Sequence, residues 1–172
     1  KDHTHPKGFE DAVYGLPELN RSLIQKADLV ANPGCYPTAA ILSLLPLADK
    51  KLLTKSNVFI DAKSGTTGAG IKPSDGNLFS NVNENFKAYK IAQHRHTIEI
   101  EQLLLGVHST NSIQFTPHLL PVDRGILSTA YVHLEDVDQS TISSIYEQFY
   151  EDHPFVNIVD EAPSIKDVRG SN

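Results

Sequence analysis

Asp28-Leu-Val-Ala-Asn-Pro-Gly-Cys-Tyr-Pro-Thr-Ala-Ala-Ile-Leu-Ser-Leu-Leu-Pro46 changes structural regime twice within a few residues. Asp28–Asn32 reads as a short apolar strand and Pro33-Gly34 as a sharp turn. From Pro37 onward only small residues and good helix formers occur until Pro46. Proline at a first helical position is preorganised for a helix start, so Cys35 is expected at the helix N-terminus. There the first-turn N–H groups and the macrodipole favour a thiolate and can hold an oxyanion. A lone cysteine is more often a small buried hydrophobe. Here the tight turn before it and the proline after it place the thiol at a strand-to-helix corner, where side chains face a cleft.

Working outward, Gly15–Asn20 reads as a turn entering a short helix with Leu23, Ile24 and Ala27 on its apolar face. Asn57–Ala62 alternates as a strand, Ser64–Gly70 reads as a flexible loop, and Ala88–Ala92 reads as a short strand. Thr97–Val107 has helical spacing, and Ser112–Pro117 and Ile126–His133 read as strands. Asp138 or Ser140 caps a helix over Thr141–Tyr150, and Phe155–Val159 reads as a last strand. Single strands mixed with helices predict an α+β domain: a mixed, largely antiparallel sheet covered on one face by helices.

The chain has 172 residues, 40% hydrophobic and 21% charged, which suits one domain and excludes disordered or fibrous classes. The longest apolar run, Ala39–Leu45, is far short of the ~20 residues that cross a bilayer, so a membrane role is not expected. A net charge of −6 without a Lys/Arg stripe argues against nucleic acid. One cysteine and no apolar leader suggest a reducing, cytoplasmic setting. Methionine is absent even at position 1, and Lys1–Lys7 is a polar lead-in, so the chain is read as a domain cut from something longer.

A nucleophilic thiol needs a proton-handling partner, and His94-Arg95-His96 supplies two imidazoles. Glu99, three residues after His96, can orient that ring across a helical turn or serve as a capping partner. His-x-His also suits a pair of exposed loop histidines or part of a metal site. The remaining candidates, His108, His118, His133 and His153, are scattered without ligand spacing, so no metal is expected. Ser64–Ser74 offers N–H groups, hydroxyls and Lys72 to an anion, or is an ordinary surface loop. Arg124 suits a carboxylate held bidentately, or a solvated turn.

Asn32-Pro-Gly-Cys-Tyr-Pro-Thr38 resembles the active-site segment of the N-acetyl-gamma-glutamyl-phosphate reductase family. Six further blocks resemble that family in order: Tyr14–Arg21, Asp61–Gly70, Asn81–Lys90, His94–Glu99, Thr116–Thr129 and Asp167–Asn172. The resemblance implies the NADPH-dependent reduction of N-acetyl-glutamyl 5-phosphate to the semialdehyde and phosphate, in arginine biosynthesis, through a Cys35 thioester. It implies Cys35 as nucleophile and His94, ahead of His96, as acid/base. It places Ser64, Gly65, Arg95, Glu99 and Arg124 at the substrate, and Gly34, Pro37, Gly68 and Gly70 at NADP(H). It further implies a fold like the second domain of glyceraldehyde-phosphate dehydrogenase and a homodimer or higher homo-oligomer.

The chain lacks the family's Gly-x-x-Gly-x-x-Gly fingerprint, so residues 1–172 are expected to be the catalytic and dimerisation domain, with NADP(H) held mainly by an absent N-terminal Rossmann-like domain. Two alternatives stay open. One is an aspartate-semialdehyde dehydrogenase-like thiol enzyme, a family whose catalytic histidine usually comes much later in the chain. The other is a binding and assembly module without turnover.

Overall fold

The computed structural model describes residues 8–54, 56–106 and 112–171. The lead-in Lys1–Lys7, Val107 at the end of the helix expected over Thr97–Val107, and His108 lie outside them. Within the span expected as one domain there are two compact units, Lys1–Gly34 and Cys35–Asn172. In the first, α1 (Gly8–Asp11) and α2 (Pro17–Ile24) accompany β1 (Val13–Tyr14) and β2 (Val30–Ala31), which pair in parallel. Pro17 opens α2, where its missing N–H costs nothing. Gly15 passes so close to β2 that a Cβ there would lie 2.7 Å from Val30 Cγ1.

The second unit is built on a four-stranded sheet in the order β4 (Lys87–Ala88), β5 (Ile113–Leu119), β3 (Val58–Ser64), β6 (Ile126–Val132). β3 pairs in parallel with β5 and antiparallel with β6, and β4 runs antiparallel to β5, so the sheet is mixed as expected. Strand alternation sorts its two faces. Val58, Ile60 and Ala62 of β3 and Ile113 and Phe115 of β5 point inward beneath α3 (Cys35–Asp49) and α5 (His96–Leu104). Phe59, Asp61 and Lys63, with Gln114, Thr116 and His118, line the other face, which no helix among the described residues covers. α4 (Phe79–Val82) is a single turn ahead of β4, α6 (Gln139–Tyr150) packs on α3, and Asp138 caps α6 by accepting from the Thr141 N–H at 2.7 Å. No helix among the described residues is long and apolar enough to cross a membrane.

Several expected boundaries shift. The helix opening at the thiol starts at Cys35 rather than Pro37 and runs through Pro46 to Asp49. Pro46 has no N–H to give the Leu42 carbonyl, and the Tyr150 hydroxyl donates to that oxygen instead. The strand expected over Ala88–Ala92 is only Lys87–Ala88, because Lys90 and Ala92 take positive φ values of 46° and 54° and turn the chain away. Phe155–Val159 forms no strand. The Val156 N–H is spent on a local turn to the His153 carbonyl, no neighbouring strand takes up the segment, and Phe155 stays 78% exposed. The Ser64–Gly70 loop holds a 3₁₀ turn, Thr66–Ala69, stitched to the Pro121–Gly125 turn. Thr66 and Thr67 donate from both backbone and hydroxyl to the Val122 and Asp123 carbonyls. That stitching leaves no room at Gly65, where a Cβ would sit 2.6 Å from the Asp123 carbonyl oxygen.

Candidate active site

Cys35 is the first residue of α3, and its thiol is exposed and free. The next side chain turns the opposite way: Tyr36 is 3% exposed, and its ring is the hub of an aromatic cluster. It meets His94 edge-on at 5.7 Å, His96 at 6.0 Å and Phe115 at 5.4 Å between ring centroids. Tyr89, just beyond β4, packs edge-on against His94 at 5.7 Å. Both imidazoles are buried, each 8% exposed, and they meet each other at 4.6 Å. Three sequence-distant segments therefore converge on the Tyr36 ring, one residue from the thiol: the start of α3, the turn after β4 and the start of α5.

The polar atoms have a definite order. His94 Nδ1 accepts from the His96 backbone N–H at 3.2 Å, so the proton of the neutral ring sits on Nε2, which is left as a donor. Burial first, then the charges of His96, Lys90 and Arg95, lower the His94 pKa to about 4, and the ring is neutral at pH 7. Burial lowers His96 as well, opposed by Glu99, whose carboxylate stands within electrostatic reach as its spacing suggested. The Tyr89 hydroxyl donates to Tyr36 Oη at 3.0 Å, and Tyr36 donates to the His118 carbonyl at 3.2 Å. Burial raises the pKa of both tyrosines, so neither ionises near neutrality. Ser64 Oγ lies beside the Tyr36 hydroxyl and donates to the Gly65 carbonyl at 2.9 Å.

Of the residues proposed from sequence, Ser64, His94 and His96 thus fall around Tyr36, Cys35 precedes it on α3, and Glu99 stands within electrostatic reach of His96. Gly65 and Arg124 meet at the stitched turns, with the Arg124 side chain exposed, and Arg95 is exposed between the two imidazoles. Gly68 and Gly70 lie in and after the 3₁₀ turn; Gly70 has φ +85° and no atom within 4 Å of a Cβ position. Pro37 is a correction. Its side chain is fully buried in α3 and offers a cofactor no surface, because the helix begins two residues earlier than expected and turns that position into the core. Gly34, immediately before the thiol, ends the first unit. Tyr36 and Tyr89 are site residues that the reading of the sequence did not single out. The available signal was a large hydroxylated aromatic one residue from the thiol, at a position alternating from exposed to buried. Among the described residues no three His, Cys, Asp or Glu side chains group to hold a metal.

The uncovered sheet face carries a second polar group. Asp61 holds Lys63 Nζ at 2.9 Å and lies 3.0 Å from His118 Nδ1, and Phe86 stacks on the His118 ring at 5.0 Å. Beside it a shallow hollow of about 280 Å³ runs between Phe59 and Tyr131. This face is turned away from the Tyr36 cluster.

Comparison with known proteins agrees with this division. Residues 35–172, the second unit, match the family described as semialdehyde dehydrogenase, dimerisation domain. An N-acetyl-gamma-glutamyl-phosphate reductase of Clostridium botulinum is 48% identical over 176 aligned residues, covering 100% of this chain and 51% of that protein. The reductase of Methanococcus maripaludis is 52% identical over 172 residues, covering 98% of this chain and 50% of that protein. The chain spans about half the length of the curated relatives it matches. In three dimensions it superposes on aspartate semialdehyde dehydrogenase II of Vibrio cholerae with a TM-score of 0.66 at 15% identity, covering 98% of this chain and 58% of that one, a likeness of fold. The exposed thiol, its histidine cluster and the mixed sheet thus belong to a chain of the semialdehyde dehydrogenase family, whose dimerisation domain it carries over residues 35–172.

Proposed function

We propose that this chain is the thiol-bearing half of an N-acetyl-gamma-glutamyl-phosphate reductase, reducing N-acetyl-glutamyl 5-phosphate to the 5-semialdehyde with release of phosphate in arginine biosynthesis. The observation that carries the reading is Cys35, an exposed thiol on the first turn of α3 whose neighbouring side chain packs on both imidazoles of the His-Arg-His segment. Relatives about half identical over the whole chain support this substrate over an aspartate semialdehyde, whose dehydrogenase shares 15% of residues with it. A free thiol enzyme of this class suits a reducing cytoplasm.

In this reading the Cys35 sulfur attacks the acyl-phosphate carbon, the new S–C bond forms, and the C–O bond breaks with its electron pair leaving on phosphate. Arg124 holds the substrate carboxylate, and Ser64, Gly65, Arg95 and Glu99 line its binding site. His94, neutral with its proton on Nε2, hydrogen-bonds the oxygen on which negative charge develops, and the His94–His96 pair exchanges the proton as the C–S bond breaks and the aldehyde departs. NADP(H), when bound, supplies the hydride that reduces the thioester carbon. A structural neighbour of Candida albicans, an aspartate semialdehyde dehydrogenase, was solved with NADP. Of the residues proposed for it here, Gly68 and Gly70 fit, since the open backbone at Gly70 admits a flat ring, and buried Pro37 does not. The main dinucleotide site would lie outside this chain.

The test is turnover in the full-length protein, followed as NADPH oxidation with acyl phosphate. Cys35→Ser should leave no measurable rate, and His94→Asn or His96→Asn, made separately, should cost one of the two roughly 10²-fold or more. A Cys35→Ser enzyme that still turns over sinks the reading, and normal rates in both histidine variants remove the acid/base assignment.

A further inference from the structure

β4 is the shortest strand of the four-stranded sheet, and it leads directly into the site. It is an edge strand of two residues, Lys87 and Ala88, paired with β5. Just beyond it the Tyr89 N–H donates to the Pro117 carbonyl at 3.0 Å. From there the chain turns: Lys90 and Ala92 take positive φ, the Gln93 N–H closes on the Lys90 carbonyl, and His94 follows. A ladder this short holds little by itself, so the grip on β4 falls to its side chains.

Alternation sends those side chains to opposite faces. Tyr89 points inward, packing on His94 at 5.7 Å between ring centroids and donating to Tyr36 Oη at 3.0 Å. Phe86 points outward. The register pairs Ala88 with His118, which sets Phe86 on the diagonal from His118 on the same face, within reach of an aromatic ring. The two rings stack 5.0 Å apart at 27°. The His118 ring is itself held, since its Nδ1 lies 3.0 Å from Asp61 Oδ1, while Lys63 Nζ lies 2.9 Å from the other carboxylate oxygen. Phe86 is 55% exposed, so this stack is a surface contact and not part of the core.

We infer that Phe86 and His118 are positioning residues for His94: their stack clamps the outer side of the β4 segment against β5 and so keeps the turn that follows it, with Tyr89 and His94, in the Tyr36 cluster. The clamp bears on main chain that the cluster already uses, because the carbonyl of the same His118 accepts from the Tyr36 hydroxyl at 3.2 Å. The inference rests on reading His94 as the acid/base of the reaction.

Hydrogen–deuterium exchange of the full-length protein, resolved to single amides by mass spectrometry, tests the clamp without substrate. The His96 N–H is bound to His94 Nδ1, so its protection reports whether that ring is in place, and the Tyr89 N–H reports β4. In Phe86→Ala both amides should exchange about fivefold faster, the scale of one aromatic pair, while Ile60 and Ala62 in the central strand keep their rates. Phe86→Tyr keeps the ring and should restore protection. Adding Phe86→Ala to His118→Ala should change nothing further, since the stack can be lost only once. Turnover is the stricter readout: Phe86→Ala should lower kcat about tenfold and leave KM unchanged, where a misplacement of about 1 Å costs roughly 10²-fold. Phe86→Tyr should recover that kcat.

Unchanged exchange at Tyr89 and His96, or faster exchange that Ile60 and Ala62 share, overturns the inference. So does a Phe86→Ala enzyme with normal kcat, a Phe86→Ala chain that fails to fold, or a loss of protection that sedimentation shows to follow a change of assembly. A wild type without turnover defeats the reductase reading alone, and exchange still decides whether the stack holds His94.

Discussion

Lowering the pH from 7.5 to 4.5 should destabilise this chain through His94. Burial and the positive charges of His96, Lys90 and Arg95 bring its pKa from 6.5 down to about 4. The unfolded chain thus takes up a proton near pH 6.5 that the folded chain refuses until about pH 4. Because the unfolded state binds more protons in that window, stability is full above about 6.5 and falls as the pH drops toward 4. The whole difference corresponds to about 3 kcal/mol at about 1.4 kcal/mol per pH unit, and about 2.5 kcal/mol of it is lost by pH 4.5. Solvent at the edge of the cluster screens part of this and leaves roughly 1–2 kcal/mol. His96 moves in the same direction, whereas Asp138 and Asp167, held below 3.8 by hydrogen bonds from Thr141 and Ser164, titrate beneath the window.

The assay is urea unfolding at pH 7.5, 6.5, 5.5 and 4.5 for the wild type and for His94→Gln. With a slope of about 2 kcal/mol per molar urea, the wild-type midpoint should fall by roughly 0.5–1 M more than that of the variant over this range. Lost packing lowers the variant's midpoint at every pH alike, so only the difference between the two pH profiles matters. Parallel profiles would refute the claim that the fold holds this imidazole neutral.

Tyr150→Phe removes the donor that replaces the missing Pro46 N–H and leaves the Leu42 carbonyl unpaired inside α3. It should cost about 1–2 kcal/mol, read as a melting midpoint lower by roughly 2–6 °C, and an unchanged midpoint would show that this carbonyl finds water instead. On the uncovered sheet face, Phe59 and Tyr131 sit side by side in register, 50% and 57% exposed, and the family is described by its dimerisation domain. Two copies meeting through this face would bury both rings, so Tyr131→Asp should convert a sedimenting dimer to monomer at micromolar concentration, and a persistent dimer would place the interface elsewhere.

The legible parts of the fold were those written in local chemistry. Asn32-Pro-Gly-Cys-Tyr-Pro placed a thiol at a helix start because prolines and glycine restrict the backbone wherever they occur, and the alternation of Val58–Ser64 announced a half-covered strand. Phe155–Val159 misled because apolar residues describe a strand's faces without supplying its partner. Ala88–Ala92 misled because residues that favour strands can still be forced to positive φ by the turn that brings His94 inward. Pro46 was read as a helix end by the rule that proline lacks a donor, and the rule held at the atom: the Leu42 carbonyl did lose its partner. The helix continues because Tyr150, 108 residues away, supplies another.

The same distinction governs the candidate site. Cys35, His94 and His96 carry their chemistry in their side chains, so their residue types pointed to a reaction before any geometry was known. Tyr36 carries none of its own at neutral pH. Its place in the site comes from the His118 carbonyl, 82 residues along the chain, a backbone atom that every residue possesses and no sequence marks. That carbonyl stands at the end of β5, in register with Lys63 of β3, while the His118 imidazole lies on the uncovered face near Asp61. One residue thus anchors the Tyr36 and Tyr89 hydroxyls with its main chain and the opposite polar group with its side chain. If two copies do pack through that face, the pairing that seats Asp61 also fixes the strand end from which Tyr36, and through it Tyr89, takes its direction.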